Sequence, residues 1–123
     1  MQKHIIQMCP EEACGLVGGV EDSSKVVYEV TNSLRSPVRF LMDASEQVRA
    51  LIQIEKSGLD LLAIYHSHPK GPDRPSQTDM DEFLYPGTAS LIWYLEYGFW
   101  NCKAFMLSTH SFQPIPLSVI EDE

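Results

Sequence analysis

The run LDLLAIYHSH, Leu59 to His68, is closed by a breaker on each side, Gly58 before it and Pro69 after it. It is too short for a helix between those breakers and reads as a buried strand with two histidines at its C-terminal end. Around it the chain alternates. MQKHIIQMCPEEACG reads as a short helix broken near Pro10, and GLVGG and KVVYEVTNS read as two strands joined across the polar EDSS turn. DASEQVRALIQIEKSG has the marks of a helix: Asp43 and Glu46 spaced as a capping box, Val48, Leu51 and Ile52 as its apolar face, and Gly58 as its stop. SQTDMDEFLY predicts a second short helix with Met80, Phe83 and Leu84 inward, stopped at Pro86, and ASLIWYLEY, NCKAFMLS and IPLSVIE supply further strands. Helices alternating with and flanking strands imply an α/β fold, a central mixed β-sheet with helices packed on it. At 123 residues the expectation is one domain over 1–123 with a single core.

The chemistry concentrates at the end of the buried strand. Side chains at i and i+2 of a strand share a face, so His66 and His68 project together and two ring nitrogens can share one cation. Zinc accepts imidazole and carboxylate ligands, and a catalytic site uses three protein ligands and keeps one place open. The loop PKGPDRP is stiffened by three prolines and can turn at Gly71, which returns the next helix start over the strand end. Asp79 can then close the site. Ser76 fits the N-cap, with its hydroxyl and the free amides of that helix start facing the same cleft. Each half also has a plain structural reading: Ser76 and Asp79 are spaced as a capping box, and a His-x-His at a strand end is often incidental. Amide hydrolysis needs a base as well, and Glu82 falls on the outer part of the helix, so the base comes from elsewhere in the chain.

Composition narrows the function classes. Nine Lys and Arg against 17 Asp and Glu give a net charge of -8, with no basic patch in the sequence, which disfavours nucleic acid and favours a protein or peptide partner. No apolar run approaches a membrane span, no secretory leader opens the chain, and three cysteines fit a reducing cytoplasm. Cys9 and Cys14 read as packing residues rather than a second metal site, His4 and His110 as surface or capping histidines, and Trp93, Tyr94 and Trp100 as core or interface aromatics. The apolar C-terminal strands leave a homodimer open.

His66-x-His68, seven residues, Ser76, two residues and Asp79 resemble the signature of the JAMM (MPN-plus) zinc metalloproteases, and PEEACGLVGG resembles that family's upstream glutamate element. Glu12, two residues before Cys14, takes the matching place, with Glu11 as the rival register. The resemblance implies a cytidine deaminase-like three-layer sandwich. It also implies His66, His68 and Asp79 as ligands of one zinc ion, Glu12 as general acid/base, and Ser76 as stabiliser of the oxyanion. Its implied activity is hydrolysis of the amide or isopeptide bond after the C-terminal Gly-Gly of a ubiquitin-like modifier or sulfur-carrier protein. The alternative is a metal-free scaffold or interaction module of the same family. The chain has neither the Cys-x-x-Cys of zinc nucleoside deaminases nor a His-Glu-x-x-His helix.

Overall fold

The computed structural model describes residues 1–118. In chain order these form α1 (Gln2–Met8), β1 (Cys14–Val20), β2 (Ser23–Val30), α2 (Ala44–Lys56), β3 (Asp60–His68), α3 (Gln77–Asp81), β4 (Ala89–Glu96), β5 (Phe99–Leu107) and β6 (Phe112–Ile115). The strands make one mixed sheet in the order β2-β1-β3-β4-β5-β6. Neighbours are antiparallel except β3 and β4, which run parallel. The sequence-predicted buried strand is therefore the third of six, and Ala63 to His68 are all buried.

Alternation along β3 divides the core between the two faces of the sheet. Ala63 and Tyr65 pack with Ile5 of α1 on one face, and Ile64 packs with Ala50 and Ile54 of α2 on the other. Burying one such aliphatic side chain contributes about 1.5–3 kcal/mol, far more than helix propensity gives a seven-residue segment like α1. Gly15 admits the Tyr65 ring to this core, because a Cβ there would lie 2.3 Å from Tyr65 Cε1 and 2.4 Å from the Tyr28 carbonyl. Among the described residues, no helix is long and apolar enough to cross a membrane.

Several expectations are corrected. The buried side of α2 is carried by Ala50 and Ile54 with Leu51 packed beside them, while Val48 and Ile52 are exposed. Asp43 caps α2 by accepting from the Glu46 amide at 2.9 Å, but the Glu46 carboxylate accepts from the Thr31 amide and hydroxyl instead of completing the box. α3 ends at Asp81, so Phe83 and Tyr85 turn inward from irregular backbone and Leu84 is exposed. The last strand is Phe112–Ile115 instead of IPLSVIE, whose final residues lie outside the described ones. His4 is buried and its Nδ1 lies 2.8 Å from the Tyr65 hydroxyl, and Cys9 is exposed.

Candidate metal centre and active site

His66 and His68 point from the same face of β3, with ring centroids 4.8 Å apart and side chains almost wholly buried. Pairing of β1 with β3 sets Cys14 opposite His66 and continues past the strand end, where the Ser67 amide donates to the Ala13 carbonyl at 3.0 Å. The Ala13 amide in turn donates to Ser67 Oγ at 2.8 Å. Two residues before Cys14, Glu12 thus comes to the histidine face, with Oε1 3.5 Å from His66 Nδ1. Glu12 is 3% exposed, whereas Glu11, the rival register, is half-buried.

The loop after β3 folds back as its sequence demands. Gly71 adopts a left-handed φ of 73° and its amide donates to the His68 carbonyl, which brings the Pro72 carbonyl to 2.7 Å from His68 Nδ1. Asp73 pairs with Lys103 at 2.5 Å and ties the loop to β5. Ser76 then caps α3: its Oγ accepts from the Asp79 amide at 3.0 Å, and Asp79 Oδ2 accepts from the Ser76 amide at 2.9 Å. The same Oδ2 lies 3.1 Å from His68 Nε2 and 3.7 Å from His66 Nε2. Ser76 and Asp79 therefore form the capping box, while the Asp79 carboxylate also faces both histidines. Because Ser76 Oγ accepts within the cap, its own proton stays free to donate.

The electrostatics call for positive charge between these groups. His68 Nδ1 donates to a backbone carbonyl, the usual orienting bond of a metal-ligating imidazole, so a neutral His68 turns the lone pair of Nε2 toward the Asp79 carboxylate. Burial opposes charge on both partners. Even so, the hydrogen bond to Asp79 raises the His68 pKa, and the contacts with His68 and His66 hold the Asp79 carboxyl at about 2. On the other side, Glu12 Oε1 and His66 Nδ1 are buried without a hydrogen-bond partner, which costs free energy unless a further group meets them. The donor set of two imidazoles and two carboxylates fits a divalent cation.

Two ligand sets can be drawn. Glu12, His66 and His68 offer one atom each, all within 4.8 Å of one another. The second set joins His66 Nε2 and His68 Nε2 to Asp79 Oδ2. In the second set His68 Nδ1 is engaged by the Pro72 carbonyl and Nε2 lies 3.1 Å from Asp79 Oδ2. Glu82, the residue that follows α3, is exposed and pairs with Arg39.

Three features had no signal in the sequence motif. Phe40 stacks on His66 with centroids 4.5 Å apart and planes 28° from parallel. Ser67 lies between the histidines but points to the opposite face, toward the backbone of Ala13. Beside His66 a cavity of about 110 Å³ is lined by Phe40, Ile64, Phe83 and Tyr85 together with His66 and Asp79.

Comparison with known proteins gives this geometry its relatives. Residues 1–108 match the family model of prokaryotic homologs of the JAB domain. A probable TtuB-protein conjugate cleaving protease of Thermus thermophilus is 36% identical over 105 residues, which are 85% of this chain and 67% of that protein. A desampylase of Haloferax volcanii is 37% identical over 86 residues (68% and 62%), and a CysO-cysteine peptidase of Mycobacterium tuberculosis 34% over 82 residues (65% and 56%). The chain thus spans about two thirds or less of the length of these relatives. A solution structure from Desulfitobacterium hafniense, 34% identical, superposes with a TM-score of 0.84, covering 98% of this chain and 86% of the other.

Proposed function

Because the chain belongs to the family of prokaryotic homologs of the JAB domain, we propose that it is a zinc-dependent isopeptidase acting after the C-terminal Gly-Gly of a ubiquitin-like or sulfur-carrier protein. The observation that carries this reading is the meeting of His66, His68 and Asp79 at one buried point with the Glu12 carboxylate beside it. The layering of helices on both faces of a mixed sheet supports a cytidine deaminase-like sandwich, and the domain is taken to be one unit over 1–123. The names of relatives, a TtuB-protein conjugate cleaving protease and a CysO-cysteine peptidase among them, support the substrate class, and the setting proposed is cytoplasmic.

In this reading His66 and His68 through Nε2, and Asp79 through Oδ2, hold the ion, with the Pro72 carbonyl fixing the His68 tautomer. Bound zinc would supply Lewis-acid chemistry, polarising the scissile carbonyl and making water acidic near neutral pH. Glu12 takes the proton from the attacking water and delivers it to the departing amine, a role that suits a buried carboxylate with one oxygen free of hydrogen bonds. Ser76 donates its free hydroxyl proton to the oxyanion. Phe40, Phe83 and Tyr85 give the cavity beside His66 an aromatic wall against which a substrate can pack.

The test is a matched pair of measurements on the parent and on Glu12→Gln: bound zinc, and cleavage of a ubiquitin-like domain fused to a reporter through its Gly-Gly terminus. The parent is expected to carry about one zinc per chain and to lose activity with a chelator, while Glu12→Gln keeps zinc and is inactive. A zinc-free, inactive parent would instead support the metal-free scaffold.

A further inference from the structure

The carboxylate proposed as the base has little of its own to hold it. Glu12 lies between α1 and β1, outside the sheet, and its Oε1 has no hydrogen-bond partner. Its backbone is held from one direction. The Glu12 amide donates to the Ser36 carbonyl at 2.8 Å, and the Glu12 carbonyl accepts from Asn32 Nδ2 at 3.0 Å. Both partners belong to the connection between β2 and α2.

That connection is organised by Asn32. Its side chain is 2% exposed and its bonding capacity is fully used. Nδ2 donates to the carbonyls of Glu12 and Arg39, at 3.0 and 3.1 Å, and Oδ1 accepts from the amides of Leu34 and Leu41, each at 3.1 Å. Two donors and two acceptor sites are what a carboxamide has. Aspartate keeps the acceptors and loses the donors, alanine loses all four bonds, and glutamine is longer by one methylene. The Arg39 carbonyl bond also fixes the residue before Phe40, the ring stacked on His66. One side chain thereby ties the backbone of Glu12 to the wall of the histidine site.

We propose that Asn32 is the positioning residue for Glu12, holding its carboxylate in register with the histidine pair without touching substrate or metal. This rests on the reading of Glu12 as the base. Displacement of a catalytic group by about 1 Å costs on the order of 100-fold in rate, so Asn32→Ala is expected to lower kcat about 100-fold. Its ligands for the ion are untouched. Accordingly KM for the Gly-Gly fusion should stay within about twofold, and the visible spectrum of the cobalt-substituted protein should match the parent's. A kcat within twofold of the parent overturns the proposal, as does a fall in kcat accompanied by a raised KM and an altered cobalt spectrum, which mark general loosening. If Asn32→Ala does not fold, the unsubstituted protein still decides by NMR. Two carboxamide protons bonded to Glu12 and Arg39 exchange slowly with solvent, and rapid exchange refutes the assignment. Running Glu12→Gln alongside separates the two levels: an active Glu12→Gln removes the base assignment itself, whereas an inactive Glu12→Gln beside a fully active Asn32→Ala removes only the role of Asn32.

Discussion

Ser76 and Asp79 cap α3 reciprocally and Asp79 also faces the histidines, which in the proposed reading gives their substitutions two separable effects. Removing the Ser76 hydroxyl deletes an N-cap, which costs about 1 kcal/mol of stability. In the proposed mechanism it also removes an oxyanion donor, worth about 10²–10³ in kcat. Ser76→Ala is therefore expected to unfold slightly earlier in urea and to turn over at least about 100-fold more slowly with zinc still bound. A loss of stability with turnover unchanged would leave the serine as a cap only. That His66, His68 and Asp79 lie together and that Ser76 caps α3 was legible in the sequence, because strand periodicity and a seven-residue loop constrain them locally. Phe40 and Asn32 were not, because their partners lie 26 residues away at His66 and 20 at Glu12 along the chain, and no local pattern encodes such contacts.

At the scale of elements, the strand β3 and its flanking breakers were readable, while the faces of the helices were only half so. Along α2, Val48 and Ile52 form an apolar i, i+4 stripe, yet the sheet meets the neighbouring stripe of Ala50 and Ile54. Periodicity alone does not choose between adjacent stripes when a small alanine marks the close approach. β6 was placed too late for a related reason. A tight turn, with the Ser108 amide donating to the Ser111 carbonyl at 2.9 Å, returns the chain at once, so pairing with β5 begins at Phe112. Where β1 crosses Tyr65, Gly15→Ala is expected to destabilise by about 1–3 kcal/mol, since the new Cβ meets a ring and a carbonyl inside a packed sheet. Urea denaturation measures it, and an unchanged midpoint would show that β1 and β3 pack with slack.

Across the whole molecule, two layers of helix meet one sheet, and the site sits where the middle strands end. In the proposed reading its buried carboxylates couple the fold to the ion. Zinc at 1,000 times its dissociation constant would stabilise the native state by about 4 kcal/mol, so the thermal midpoint should rise by on the order of 10 °C over chelator-treated protein. No shift on scanning calorimetry would separate the ion from the fold. The central claim concerns which atoms hold the ion, and the most direct measurement is an anomalous difference map at the zinc edge from crystals of zinc-loaded protein. The account predicts a single peak about 2 Å from His66 Nε2, His68 Nε2 and Asp79 Oδ2, with the Glu12 carboxylate beside it but not bound. A peak ligated by Glu12 in place of Asp79, or no peak between the two histidines, would contradict it.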